Sequence, residues 1–381
     1  MNKQGRGDGT IYFEESRQRW VAAFDVRSNN GKRQRRRVTG PTRAKAREAM
    51  RIAQSAQTDG LPVPDGSLTV KRFLEDWLAN TVPAVCHSSN TVANYKWAVD
   101  KHLVPALGGH RLRDLSPDDV DHMLRARAAT GLSRSSLMRL RMVLGRALRH
   151  AERRGKVVRN VATLADLPKA GKGRESRALS VEQAKALLDA AKGDRLEALF
   201  VTGLMCALRP GELLGLTWDD VDLDAATLQV RRSLKRDGTA LYIGELKTPR
   251  SRRALNLPAQ VVEALKAHRA RQAAERLVAG DIWQDFQLVF ATDVGTPTDP
   301  SNLRRSFSRL TCSVGIGHWR PYELRHSAAS ILSAARVPLE EVADIMGHDG
   351  TRMTALVYRH AMAPTVDAGV KPMEALFGSP G

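Results

Sequence analysis

The sequence predicts a multidomain protein, mainly α-helical with small β-sheets, and three observations predict it. The chain has 381 residues, enough for two or three domains that each bury a core. Two stretches rich in proline, glycine and charge, DGLPVPDGS at 59–67 and LPKAGKGRESRALS at 167–180, interrupt the apolar patterning. Before the first break apolar residues alternate as in strands; beyond it they recur mostly at helical spacing. The expected order is a three-stranded sheet plus helix in residues 1–60, a helical domain in 67–165 and a mixed α/β domain in 174–381.

Within the first segment, GTIYFEE and RWVAAFDVR read as strands, and an Asn30-Gly31 turn leads into a third, basic strand. TRAKAREAMRIAQSA follows as a helix with Thr42 as its N-cap. The third strand carries Arg35, Arg36 and Arg37. Two readings of them stand: a solvated edge that discourages strand pairing, or a basic sheet laid against a DNA groove.

The second segment holds LTVKRFLEDWLANTV, SSNTVANYKWAVDKHLVPAL and SPDDVDHMLRARAA, the last opening on Ser116 and Pro117 with acids in its first turn. SRSSLMRLRMVLGRALRHAERRG sets Arg134, Arg139, Arg141, Arg146 and Arg149 among apolar positions. One side of that helix can bury while another faces phosphate; a plain solvated face is the alternative. The third segment opens with helices, passes through ATLQVRRSL, LYIGEL and SRRALNLP as a short sheet, and returns to helices.

Sixty Lys and Arg against 41 Asp and Glu give a net charge of +19, which favours a polyanionic partner. The excess is uneven: 14 basic against 6 acidic residues in 1–60, 19 against 10 in 61–173, and 27 against 25 in 174–381. The first two segments are therefore expected to touch phosphate most broadly, with nucleic acid preferred to an anionic membrane surface. No apolar run long enough to span a bilayer is evident, and MNKQGRGDGT lacks a secretion signal's apolar stretch. Cys86, Cys206 and Cys312 stand far apart without a CxxC pair, so neither a disulfide framework nor a zinc knuckle is expected. A cytoplasmic protein fits.

Chemistry concentrates in the third segment. Arg209 lies between apolar flanks in CALRPGELLGL, where a guanidinium is costly unless paired or aimed at an anion. Glu212, three residues on, shares its helical face. Lys247 follows a strand at a turn; Arg325 and His326 stand in ELRHSAAS, His348 in IMGH and Tyr358 in VYRH.

In that order and at roughly that spacing, these residues resemble the tyrosine recombinases, the phage-type integrases. The resemblance covers nearly the whole chain and is most specific over 174–381. Segment 67–165 resembles the family's core-site binding domain, and 1–60 the small arm-site binding domain. It implies a site-specific recombinase that cleaves and rejoins strands of double-stranded DNA at attachment sites through a 3′-phosphotyrosyl link, integrating or excising a mobile element in a bacterial host. Neither ATP, cofactor nor metal is implied. A homotetramer on synapsed DNA and an accessory excision factor are the implied protein partners.

The implied roles have a physical basis. A phosphodiester resists attack because its oxygens repel a nucleophile, so fixed cations are needed where charge develops. Arg209 and Arg325 suit that clamp, since arginine stays charged and grips phosphate bidentately. Tyr358 supplies the attacking phenol, Lys247 the proton for the departing 5′-oxygen, and His348 a hydrogen bond to phosphate, with Glu212 supporting. The family usually has histidine three residues before the second arginine; this chain has Tyr322, which can donate a hydrogen bond but cannot act as an imidazole near neutral pH. His326 is expected to pack and hydrogen-bond behind the site. His326, His348 and His360 match no familiar zinc spacing. A topoisomerase-like relaxing enzyme and a DNA-binding regulator of the same fold are the alternatives. The tail beyond Tyr358 carries a short apolar helix candidate at 372–377, expected to dock on a neighbouring subunit.

Overall fold

The protein was analysed as a computed structural model, which describes residues 9–27, 33–58, 67–86, 88–171, 177–246 and 248–348. The Asn30-Gly31 turn, most of the first linker, Lys247, Tyr358, His360 and the tail lie outside the described residues. The chain divides into two compact units, Met1–Arg174 and Glu175–Gly381.

Among its described residues unit 1 contains two separate hydrophobic cores. Strands β1 (Thr10–Glu14), β2 (Arg19–Arg27) and β3 (Arg33–Gly40) form an antiparallel sheet in that order, backed by helix α1 (Arg43–Thr58). Ala22 and Phe24 of β2 pack on Ala46, Met50 and Ala53 of α1. The Thr42 hydroxyl accepts the Lys45 N–H at 3.2 Å, the expected N-cap bond.

The second core is helical: α2 (Val70–Asp76), α3 (Val82–Val85), α4 (Ser89–Ala98), α5 (Val104–Leu107), α6 (Pro117–Ala129) and α7 (Arg134–Arg153). Pro83 and Pro105 do not end their helices, as local propensity would have it. Each follows a five-residue π-helical turn, Trp77–Thr81 and Val99–Leu103. The wider turn absorbs proline's missing N–H and its clash with the preceding carbonyl. Ser116 and Asp119 form a reciprocal capping box at the start of α6. Helix α7 buries Leu137, Leu140, Leu144 and Leu148 on one stripe and leaves Arg134, Arg139 and Arg149 exposed.

Unit 2 packs α8 (Val181–Ala190), α9 (Glu197–Met205) and α10 (Pro210–Leu214), then five strands, then α11 (Ala259–Ala279), α12 (Pro300–Ser313), α13 (Tyr322–Ala334) and α14 (Leu339–Met346) around a single large core. The strands β4 (Val221–Asp222), β5 (Thr227–Val230), β6 (Arg232–Asp237), β7 (Ala240–Glu245) and β8 (Arg253–Asn256) form two sheets, where one was expected. ATLQVRRSL breaks at Arg231: β5 pairs with β4 and β8, while β6 turns away into a hairpin with β7. That hairpin closes through Gly238 at φ 56°, the left-handed conformation a two-residue turn demands. Among the described residues no helix is long and apolar enough to cross a membrane.

Candidate active site

The centre of the site is the C-terminal end of α14. Gly347 sits at φ 59°, and its N–H reaches the carbonyl of Asp344 while that of His348 reaches Ala343, both at 3.0 Å. This is a Schellman cap. It satisfies two of the helix's terminal carbonyls and leaves those of Ile345, Met346 and Gly347 to find donors. Three arginines supply them. Arg253 donates through Nε to Ile345 at 2.7 Å, Arg325 through Nη2 to Met346, and Arg209 through Nη2 to Gly347 at 3.4 Å. Cations gathered at a helix C-terminus also complement its partial negative charge.

Arg209 precedes Pro210, the first residue of α10, and takes an extended backbone there. Its Nη1 meets Glu212 Oε1 at 2.7 Å, and its own N–H meets Oε2 at 3.0 Å. Glu212 is 2% exposed and also receives Arg253 Nη2 on Oε2 at 2.9 Å. Burial works against its charge, but the attraction and hydrogen bonds of Arg253 and Arg209 outweigh it and hold the carboxyl below its ordinary pKa.

Arg325, on α13, is wholly buried. Nη1 donates to the carbonyl of Ala207 at 2.7 Å, Nη2 to Met346, and among the described residues Nε has no hydrogen-bond partner. Burial first, then repulsion from Arg209, pushes its pKa down to about 10, which still leaves a cation near neutral pH. The two expected clamp arginines therefore differ: Arg209 is about one-third exposed and reachable, whereas Arg325 is drawn inward by two backbone carbonyls. His348 is partly buried, and burial together with Arg325, Arg209 and Arg253 pushes its pKa down to about 4. It is a neutral imidazole at neutral pH.

Tyr322 opens α13, with 44% of its surface exposed and its ring edge-on to His326 at 4.9 Å. His326 packs against that ring, and among the described residues its buried Nδ1 has no hydrogen-bond partner. Burial, then Arg325, lowers its pKa.

The structure thus gathers Arg209, Glu212, Arg325 and His348, with Tyr322 and His326 on the helix of Arg325. The basic residues of unit 1 sort differently from expectation. Arg36 pairs with Phe24 and shares its face toward α1, whereas Arg35 and Arg37 pair with Asp25 and Ala23 on the opposite face, which Tyr12 of β1 shares. Strict alternation divides what reads as one cluster. Arg141 spends Nη1 on the carbonyl of Ala165 at 2.7 Å, tying α7 to the segment that follows it, and Arg146 bonds the Tyr95 hydroxyl.

Sequence reasoning missed Arg253. Its signal is the pattern Arg253-x-Leu255-x-Leu257, which places a guanidinium in register with inward-facing apolar residues, the same anomaly that marks Arg209. Among the described residues no cluster of His, Cys, Asp and Glu suits a metal ion.

A profile of the phage integrase family matches residues 177–363. An integrase of Streptomyces ambofaciens is 39% identical over 388 aligned positions, covering 98% of each chain. A XerC-like tyrosine recombinase of Caldanaerobacter subterraneus subsp. tengcongensis is 27% identical, over 97% of this chain and 99% of its own. In fold, the Tn1549 transposon integrase solved with transposon right end DNA aligns with TM-score 0.69 at 21% identity, over 81% of this chain and 99% of that one. A lambda integrase dimer bound to a core site aligns with TM-score 0.59 at 16% identity, over 96% and 99%. Full-length similarity to the Streptomyces integrase, on a chain that brings the two arginines, the glutamate and the histidine together, settles the membership: this protein belongs to the phage integrase family of site-specific tyrosine recombinases.

Proposed function

We propose that the chain carries out recombination with Tyr358 as nucleophile, Arg209 and Arg325 as the phosphate clamp, His348 as a neutral hydrogen-bond donor and Lys247 as the acid for the leaving 5′-oxygen. The observation that carries this reading is the convergence of Arg209, Arg325 and His348 on the capped end of α14. Arg209 is the cation a phosphate meets first. Arg325 keeps Nε and the second hydrogen of each Nη uncommitted by the bonds above, so movement of its covering atoms lets it join without surrendering its carbonyls. The Tyr358 phenol gives up its proton to water as its oxygen attacks phosphorus, the P–O bond to the 5′-oxygen breaks, and that oxygen takes a proton from Lys247. The resulting 3′-phosphotyrosyl ester conserves the bond energy, and a 5′-hydroxyl from a second duplex reverses the step. Tyr322 offers its exposed hydroxyl to a phosphate oxygen, where imidazole is usual in the family.

The same reading assigns residues 1–60 to arm-site binding, 67–165 to core-site binding and 174–381 to catalysis. Arg134 and Arg139 on the exposed side of α7, and Arg35 and Arg37 on the face of the sheet away from α1, contact phosphate. The lambda integrase has been solved as a tetramer on a Holliday junction; we extend that assembly to this chain as a homotetramer on synapsed attachment sites in a bacterial cytoplasm, with an accessory factor directing excision.

A nicked substrate carrying the attachment site, which traps the cleaved intermediate, tests the chemistry. Wild-type protein forms a covalent adduct with DNA and the Tyr358→Phe variant forms none. An adduct from the Phe variant assigns the nucleophile elsewhere. Binding measured from 50 to 200 mM salt falls by orders of magnitude if the basic residues meet phosphate, and a flat response removes the DNA assignments in unit 1.

A further inference from the structure

We propose that Arg253 is a positioning residue of strand cleavage, fixing the end of α14 to the Glu212 carboxylate so that Arg209, Arg325 and His348 present one rigid arrangement to the phosphate. The inference rests on the functional reading above. Three bonds define the role: Nε to the carbonyl of Ile345 at 2.7 Å, Nη2 to Glu212 Oε2 at 2.9 Å, and Nη1 to the carbonyl of Ser251 at 3.1 Å. The side chain is 7% exposed, so this guanidinium is not a surface contact for DNA. It joins parts of the chain 41 and 92 residues away from it.

Its placement is specific to the arginine fork. The Nε and Nη2 donors lie on one planar edge, and here that edge meets a carboxylate and a helix-terminal carbonyl together, a geometry that a lysine's single ammonium cannot reproduce. Glu212 is thereby shared: Oε1 holds Arg209 while Oε2 holds Arg253. Without Arg253, Glu212 still pairs with Arg209, but of these bonds only the long 3.4 Å contact of Arg209 with the Gly347 carbonyl then ties the pair to α14, and His348 loses the anchor three residues before it. A shift of about 1 Å in a reacting geometry costs on the order of 100-fold in rate. The backbone at Gly347 shows how closely the parts fit, since a Cβ there would stand 3.1 Å from Arg253 Nη1.

The test uses the full-length protein with Arg253→Lys and Arg253→Met, measured for adduct formation in a single turnover at saturating protein on the nicked substrate, for DNA affinity, for Tm, and for the His348 imidazole titration by NMR. Positioning predicts adduct formation slowed about 100-fold in Arg253→Met and at least tenfold in Arg253→Lys, with DNA affinity within threefold of wild type, and the His348 titration displaced. Adduct formation by Arg253→Lys within threefold of wild type overturns the proposal, as does a loss of rate matched by an equal loss of affinity and folding in both variants. Wild-type protein in parallel separates this from the functional reading: if it forms no Tyr358 adduct, that reading fails, whereas a wild-type adduct with unimpaired variants sinks Arg253 alone.

Discussion

Arg325 donates through Nη1 to the carbonyl of Ala207 at 2.7 Å, and Ala207 holds φ at 51°, the left-handed region. A residue with a Cβ pays about 1–2 kcal/mol to stand there. The strain turns the chain between α9 and α10, so that the Ala207 carbonyl faces Arg325 and Arg209 emerges two residues later beside Glu212. Ala207→Gly relieves the strain but adds freedom to the unfolded chain, costing about 0.4–1 kcal/mol. Losing the buried methyl costs about 0.8 kcal/mol more, so the net change is near zero, with cleavage retained. Ala207→Val, branched at Cβ, destabilises. Denaturant unfolding of both variants checks this, and a stabilised Val variant contradicts it.

Glu212 is the anionic counterweight of a site rich in guanidinium, and its removal leaves Arg253 buried without a partner carboxylate. Breaking a buried pair in this way costs about 3–5 kcal/mol, so Glu212→Ala loses stability on that scale at pH 7. The pH dependence has a definite sign. Because the folded pKa lies below the unfolded value, the contribution is complete above about pH 4.3 and disappears as pH falls through the folded value. Wild-type protein therefore loses stability below pH 4 that Glu212→Gln, already without the charge, does not. Urea midpoints at pH 7 and pH 3 for the two proteins make the comparison.

His348 titrates on the other side of the same logic. Its folded pKa, about 4, lies below the ordinary histidine value of about 6.5, so the unfolded chain binds more protons between those limits. Stability rises with pH across that window and is lost as pH falls from 6.5 toward 4. Discounted for the partial exposure of the ring, the contribution is about 1–2 kcal/mol. His348→Gln flattens the pH dependence of Tm between pH 4 and 6.5; an unchanged slope means that the imidazole is not held neutral. In the mechanism we propose, the same neutrality lets His348 donate a hydrogen bond with no change of charge near neutral pH.

The guanidiniums and the glutamate of the site show what the sequence makes legible. Arg209 and Glu212 are readable because a charged pair at i and i+3 between apolar flanks has few alternatives. Arg253 escapes notice because its two main partners, a carbonyl 92 residues ahead and a carboxylate 41 residues behind, are long-range. The inward turn of Arg325 is hidden for a related reason: a motif names the side chain but not the carbonyls that compete for it. The helices across Pro83 and Pro105 show the converse, where backbone accommodation by π turns overrides a local breaker.

The alternation along β3 yields the sharpest test of the proposal that the sheet contacts DNA. Arg35 and Arg37 stand with Tyr12 on the face away from α1, and Arg36 stands on the other face, opposite Phe24. All three are exposed, so simple charge removal predicts equal effects. Docking through the face away from α1 predicts unequal ones. Each phosphate contact contributes about 0.9 to the slope of log K against log salt. Arg35→Ala and Arg37→Ala therefore each flatten the slope for arm-site DNA by about 1, whereas Arg36→Ala lowers affinity through the weaker, long-range field alone and leaves the slope nearly unchanged. Fluorescence anisotropy titrations at several salt concentrations separate the two cases. Equal slopes for the three variants place the DNA on neither face in particular and return Arg35, Arg36 and Arg37 to the status of a solvated edge.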